Sequence, residues 1–349
     1  MINNFKKGVL QNRLNKLFYI EEYDAYELRV TKFFVFFFII LITIDLLDIS
    51  KKTSEIAEKL AYIIGSIFGF LLFERSRKLR KKVESQKDII EKSKKEILDS
   101  INYAKRIQYS LLASDSLLNE NLPNHFLFFK PKDVVSGDFY WGTSTSSVTN
   151  KNFILATADS TGHGVPGAIM SMLNISCLNE AINADKLTQP SDILNATRKK
   201  IINHLANDGS ADGGKDGMDC SLISFDFKNK KLIYAAANNP VWIIRDKTLI
   251  VLEADRMPIG KHDKDSIPFT QREFDLQSGD VVYTLTDGFA DQFGGPKGKK
   301  FMYKQLENLL ISISNKPMQE QKALLEETFN QWKGDLEQVD DVCVIGVKI

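Results

Sequence analysis

Cysteine is scarce in this chain: Cys177, Cys220 and Cys343 are the only three among 349 residues, and no two of them form a CxxC pair. That leaves no basis for a disulfide framework or a zinc cluster, and it fits a reduced, cytosolic setting for the main body. Histidine is as short, four in all, too few for a His-rich metal site. An excess of one charge is missing too. With 46 Lys and Arg against 45 Asp and Glu the formal net charge is +1, so nothing in the balance draws the chain to nucleic acid. From Arg75 to Leu112 the chain has no proline, glycine or histidine.

What is present is unevenly spread. "FFVFFFIILITI" (33–44) and "LAYIIGSIFGFLLF" (60–73) are apolar runs, each shorter than the ~20 residues that usually span a bilayer. Two buried core helices would account for them. Phe and Ile cover every face of the first run, however, leaving no stripe to turn towards water. Residues 1–32 carry six Lys and Arg, residues 75–95 carry ten against three acids, and the connector 48–59 is balanced at three and three. Positive charge flanking both outer ends places those ends in the cytoplasm. The expectation is a two-helix, multi-pass hairpin in the cytoplasmic (inner) membrane over residues 1–74, with spans at about 30–48 and 57–74. A cleaved signal peptide is not expected, because 32 residues without a long apolar stretch precede the first run.

Residues 75–113 are mostly strong helix formers. Val83, Ile90, Ile97, Ala104 and Leu111 recur every seven residues, while the positions three residues on, Gln86, Ser93, Ser100 and Ile107, leave the other half of the heptad seam mostly polar. The pattern predicts a weak coiled-coil signalling linker that forms a homodimer through residues 75–112, against the plainer alternative of a solvated single helix. Beyond it, short apolar runs read as strands at 126–130, 153–158, 220–227, 231–236, 241–245, 281–286 and 342–348. Helical patterns fit 166–183, 191–206, 301–313 and 317–332. The two types do not alternate regularly, so an α+β layered domain with antiparallel strands is predicted over 120–349. "NDGSADGGKDGMD" (207–219) reads as a mobile or ligand-touching loop.

Asp138 in "DVVSGDFYWG", Asp159 in "LATADSTGHG", Asp287 in "VVYTLTDGFADQFGG", and Asp340 with Asp341 in "QVDDVCVIGV" all stand where an apolar strand meets a turn. One such aspartate is ordinarily a turn or cap residue. Several buried together need cations to neutralise them, and an oxygen-only donor set selects Mg²⁺ or Mn²⁺. Two such ions can activate water and clamp a phosphoryl group.

"VVSGDFYW", "ADSTGHGVPGAIMSM", "YTLTDGFADQFGG" and "VDDVCVIGV", in that order, resemble the metal-dependent protein serine/threonine phosphatases (PPM), and among them the SpoIIE-like bacterial branch. The resemblance implies an αββα sandwich of two antiparallel sheets flanked by helices. It also implies hydrolysis of phosphoserine or phosphothreonine on a regulatory protein, such as an anti-sigma factor antagonist, by attack of a metal-bound water. Carried over by motif, Asp159 would bridge two Mn²⁺ or Mg²⁺ ions and activate the water. The Ser160 backbone carbonyl, Asp138, Asp287 and Asp340 would complete the set; Asp340 over Asp341 rests on the family pattern. Asp216 and Asp219 match a stretch where some relatives hold a third metal, and equally suit loop and hairpin capping. His163 stands four residues after Asp159, as in the SpoIIE-like branch, and is either a general acid or a residue that structures the turn. Asn238 and Asn239 would shape the site from a hairpin. The alternative to an enzyme is a catalytically inactive, phosphatase-like scaffold in a signalling pathway. A sensor histidine kinase is excluded, since the linker holds no phosphoacceptor histidine.

Overall fold

The structure is a computed structural model that describes residues 39, 43, 51–122, 124–146, 151–206 and 215–349. Most of the first expected membrane span, and most of the loop 207–219, lie outside these residues. Two units emerge, one ending at Ser93 and one running from Lys94 to Ile349.

A single helix, α1 (Lys51–Leu111), takes in the second apolar run and the whole charged linker. Its sequence lacks proline, and pairs such as Lys59–Glu55, 2.9 Å apart at i,i+4, support it locally. It holds the one apolar stretch among the described residues that is long enough to cross a membrane, judged by length and composition. Ile63, Ile67, Phe70 and Phe73 are all exposed on it, as are Val83, Ile90 and Ile97 of the heptad series.

The second unit is layered. After the short α2 (Asp115–Asn121) come β1 (His125–Lys130), β2 (Asp138–Ser146), β3 (Lys151–Ser160), α3 (Gly164–Asn183) and α4 (Pro190–Leu205). The chain continues through β4 (Gly217–Asp226), β5 (Lys231–Ala237), β6 (Val241–Arg245), β7 (Thr248–Leu252), β8 (Ile259–Gly260), β9 (Arg272–Asp275) and β10 (Val281–Leu285). It closes with α5 (Gly288–Asp291), β11 (Phe293–Gly294), β12 (Lys299–Lys300), α6 (Tyr303–Ile313), α7 (Met318–Lys333) and β13 (Val342–Lys348).

One antiparallel sheet has the order β1-β13-β10-β6-β7 and another β2-β3-β4-β5-β9, with β8 beside β4. Helices α3 and α4 cover the second sheet, and α6 and α7 the first. Between the sheets, Thr157 and Thr284 share a buried hydrogen bond of 2.6 Å, which gives each hydroxyl a partner away from water. Strands buried on both faces, such as "VVYTL" of β10, read as unbroken apolar runs because helices cover one face and a sheet the other. The three cysteines are free and buried. Burial and neighbouring Glu180 push the Cys177 thiol up to about 11, and burial raises Cys220 and Cys343 likewise.

Candidate functional site

Strand register builds the site. Asp138 opens β2 and pairs with Asp159 near the end of β3, and Asp159 pairs in turn with Asp219 in β4. Three carboxylates therefore stand side by side across three strands, at the ~4.5–5.5 Å spacing of antiparallel neighbours. Asp219 is a strand residue here, and so does not cap a hairpin. Asn238, held at φ 55 just after β5, donates a 2.9 Å hydrogen bond to its Oδ1. The other sheet contributes from its own strand ends: Asp287 follows β10 and Asp340 precedes β13, and these strands pair through Leu285 and Val344. Thr286 joins the two sheets by donating from Oγ1 to Asp138 Oδ2 at 2.6 Å.

A cleft of about 250 Å³ opens among these residues, lined by Asp159, Ser160, His163, Asp219 and Asp340. Asp216 is half-buried just before β4, between Lys215 and Gly217, which line the cleft. The two members of the DD pair are treated differently. Asp341 is buried and accepts 2.7 Å hydrogen bonds from the backbone N–H groups of Lys132 and Gly137, so it pins the loop that leads into Asp138. Asp340 faces the cleft. Asp287 occupies the N-cap position of α5, yet its side chain makes no capping hydrogen bond.

The electrostatics are those of acids crowded away from water. Burial first, then Asp159, raises Asp138 well above the usual carboxylate range, with the Thr286 hydrogen bond partly offsetting both. Asp159 is pushed up to about 8, by burial and then by Asp287 and Asp340. Asp287 is pushed up to about 6, by burial and then by Asp340. Burial also raises Asp219, against the Asn238 hydrogen bond. Hard divalent cations relieve this kind of repulsion, and an oxygen-only donor set suits them. The residues present fit such ions by chemistry. Among the described residues, no group of three His, Cys, Asp or Glu side chains is already gathered as a cation cage.

The turn after Asp159 is set by backbone crowding. Gly162 has φ 86, and a Cβ on either Gly137 or Gly167 would stand 2.1 Å from its carbonyl oxygen. Only glycine lets these three backbones meet. The Ser160 N–H donates to Gly137 O at 3.3 Å, and its hydroxyl accepts from Asn174 of α3 at 3.0 Å. His163 is the N-cap residue of α3 without a side-chain cap bond. Its Nε2 lies 3.1 Å from Lys132 Nζ and its Nδ1 3.1 Å from Asp133 Oδ2.

Gln108, in the last turn of α1, escaped the sequence reading. It is buried, and its Nε2 donates to Ser136 O at 2.5 Å and to Ser171 Oγ of α3 at 2.8 Å, while its Oε1 accepts from Ser136 N at 3.2 Å. Thr286 escaped it as well. Each is a single uncharged polar residue whose partners lie far along the chain, and no local pattern marks it.

Residues 149–349 match the family described as "Stage II sporulation protein E (SpoIIE)". The SiaA-PP2C domain of Pseudomonas aeruginosa is similar at 30% identity and a TM-score of 0.65, over 74% of this chain and 98% of that one. The PP2C phosphatase domain of SpoIIE from Bacillus subtilis, solved with a fragment of its regulatory domain, shares the fold at 18% identity and a TM-score of 0.50, over 65% of this chain and 63% of that one. The RsbU and RsbW domains of a Mycobacterium tuberculosis protein do so with the same identity and score, over 65% and 60%. No curated protein matches in sequence.

Proposed function

Because the chain belongs to the SpoIIE-like branch of the PP2C-type (PPM) phosphatases, we propose that it is a membrane-anchored protein serine/threonine phosphatase dependent on Mn²⁺ or Mg²⁺. One observation carries the reading: Asp138, Asp159 and Asp219 stand in a row across three strands and face Asp287 and Asp340 from the other sheet. Folding gains nothing from crowding ionised groups in this way unless something positive joins them. In this reading Asp138, Asp159, Asp287, Asp340 and the Ser160 carbonyl hold two ions, and Asp219 with Asp216 flanks a third, weaker position. Bound divalent cations supply water activation and neutralise phosphoryl charge.

The chain's own residues supply position. Thr286 holds Asp138, Asn238 holds Asp219, and Asp341 fixes the loop before β2, which leaves Asp340 free to face the cleft. His163, tied between Lys132 and Asp133, structures the turn. The substrate class is the phosphorylated regulatory protein that the sequence resemblance implies. The apolar stretch of α1 supports anchoring in the inner membrane, with the phosphatase domain over 120–349 in the cytoplasm.

The inactive scaffold is the second reading, and the presence of Asp at all four carboxylate positions (Asp138, Asp159, Asp287 and Asp340) speaks against it. Turnover of p-nitrophenyl phosphate and of a phosphoserine peptide by the detergent-solubilised full chain separates the two. The phosphatase should turn over only with Mn²⁺ or Mg²⁺. Asp159→Asn should lower kcat at least about a hundredfold, in keeping with the several kcal/mol a bound cation contributes. No cation-dependent turnover in the unaltered chain would leave the scaffold.

A further inference from the structure

Six residues beyond Asp287, the β11–β12 hairpin folds against α7 and leaves an open groove of about 610 Å³. Its floor is apolar. Phe293, Pro296, Met302 and Trp332 line it, and the Trp332 ring packs against the backbone of Gly294 and Gly295. Phe293 is 40% exposed and Met302 57%, although both are large apolar side chains. Met302 also adopts φ 72 and ψ 144, a conformation that belongs to glycine, and its N–H is fixed to Ala290 O at 2.7 Å. The fold thus holds an exposed apolar side chain in a strained place.

The rim is basic. Lys300 is engaged by Asp291 at 2.7 Å, whereas Lys297 and Lys299 have no acidic partner within ion-pair distance among the described residues. Two uncommitted ammonium groups beside an acid-lined cleft suit an anionic partner.

The groove and the cleft are close. The four residues of α5 and Gln292 separate Asp287 from Phe293, and four helical plus two extended steps limit the span between them to about 13 Å. Tyr303, next to Met302, has its phenol pushed up by burial and by Asp287, Asp291, Asp159 and Asp219, so it lies within reach of the carboxylate cluster. A span of ~13 Å is roughly four residues of extended peptide.

We propose that this groove docks the polypeptide flanking the phosphoresidue of the substrate, with a large apolar side chain on Trp332 and Phe293 and acidic residues against Lys297 and Lys299. The proposal rests on the phosphatase reading above and adds to it a sequence preference: an apolar anchor and acids within about four residues of the phosphoserine or phosphothreonine. Hot spots of this type, aromatic floors with a charged rim, carry most of the affinity in small interfaces.

The test is fluorescence anisotropy on the detergent-solubilised full chain. The probe is a labelled peptide holding a non-hydrolysable phosphonate analogue of phosphoserine, one Phe and two Glu; the comparator has Lys in place of both Glu. The unaltered chain should prefer the acidic peptide. Lys297→Glu with Lys299→Glu, and separately Phe293→Ser, should weaken that binding about tenfold. Turnover of p-nitrophenyl phosphate, which has no flanking peptide, should stay within about twofold in the same variants. Equal affinity for the two peptides, unchanged affinity in the variants, or a parallel loss of p-nitrophenyl phosphate turnover would overturn the proposal. Failure of the phosphatase reading shows separately, as absent turnover in the unaltered chain, while the anisotropy comparison still decides the groove.

Discussion

A carboxylate raised to about 8 keeps its proton through neutral pH unless a cation replaces it, and Asp159 is such a group, with Asp287 raised to about 6 beside it. The folded chain therefore binds more protons than the unfolded one between the ordinary carboxylate value near 4 and those raised values. Without cation, stability is fully kept below the unfolded value and falls as pH rises through this window. A cation that displaces the protons reverses the loss. Thermal melts at pH 5 and pH 8, in EDTA and in Mn²⁺, should show a cation-dependent gain at pH 8 that shrinks or vanishes at pH 5. At a hundredfold excess over Kd the gain is about 2.7 kcal/mol, on the order of 5–10 °C for a domain of this size. An equal gain at both pH values would mean that the acids do not hold the ion. The strand-end aspartates were legible in the sequence, because an acid that closes an apolar run stands out. Their row with Asp219 was not legible, since it depends on the register of β3 against β4, and register is a property of two strands together.

Among the elements, the long apolar strands declared themselves. β3, β4, β5, β6, β10 and β13 all follow runs of Val, Ile, Leu and Ala, and the "DFKNKK" turn between β4 and β5 falls where its residues suggest. β2 did not, because "DFYWGTSTS" becomes polar and small over its second half. The edge strands β7 and β9 also passed unread; each is short and partly exposed, so its alternation is too brief to register. Gln108 belongs at this scale because it makes the last turn of α1 part of the site's scaffold. It clasps the loop before Asp138 and the helix after the glycine turn at once. Gln108→Leu keeps the bulk but strands the buried Ser136 N–H, at about 1–3 kcal/mol, while Ser171 Oγ keeps its bonds to Ala168 O and Ser136 O. Urea melts should report that loss, and the same variant should change kcat towards p-nitrophenyl phosphate. If stability falls and kcat does not move, the clasp is structural and carries no signal to the site.

At the scale of the whole molecule, α1 displays Val83, Ile90 and Ile97 to solvent, each more than half exposed. A solvated single helix gains nothing from that seam, whereas a second copy would cover it. Sedimentation of the full chain in detergent should give a dimer, and Ile90→Asp with Ile97→Asp should give the monomer. A monomeric unaltered chain would remove the pairing. The buried state of Cys177, Cys220 and Cys343 has a practical consequence for such work. With every native thiol sealed in the interior and held protonated, a maleimide dye or spin label finds no native target. One cysteine placed at Lys297 or Ile90 then becomes an address that reports on a single surface of the folded chain.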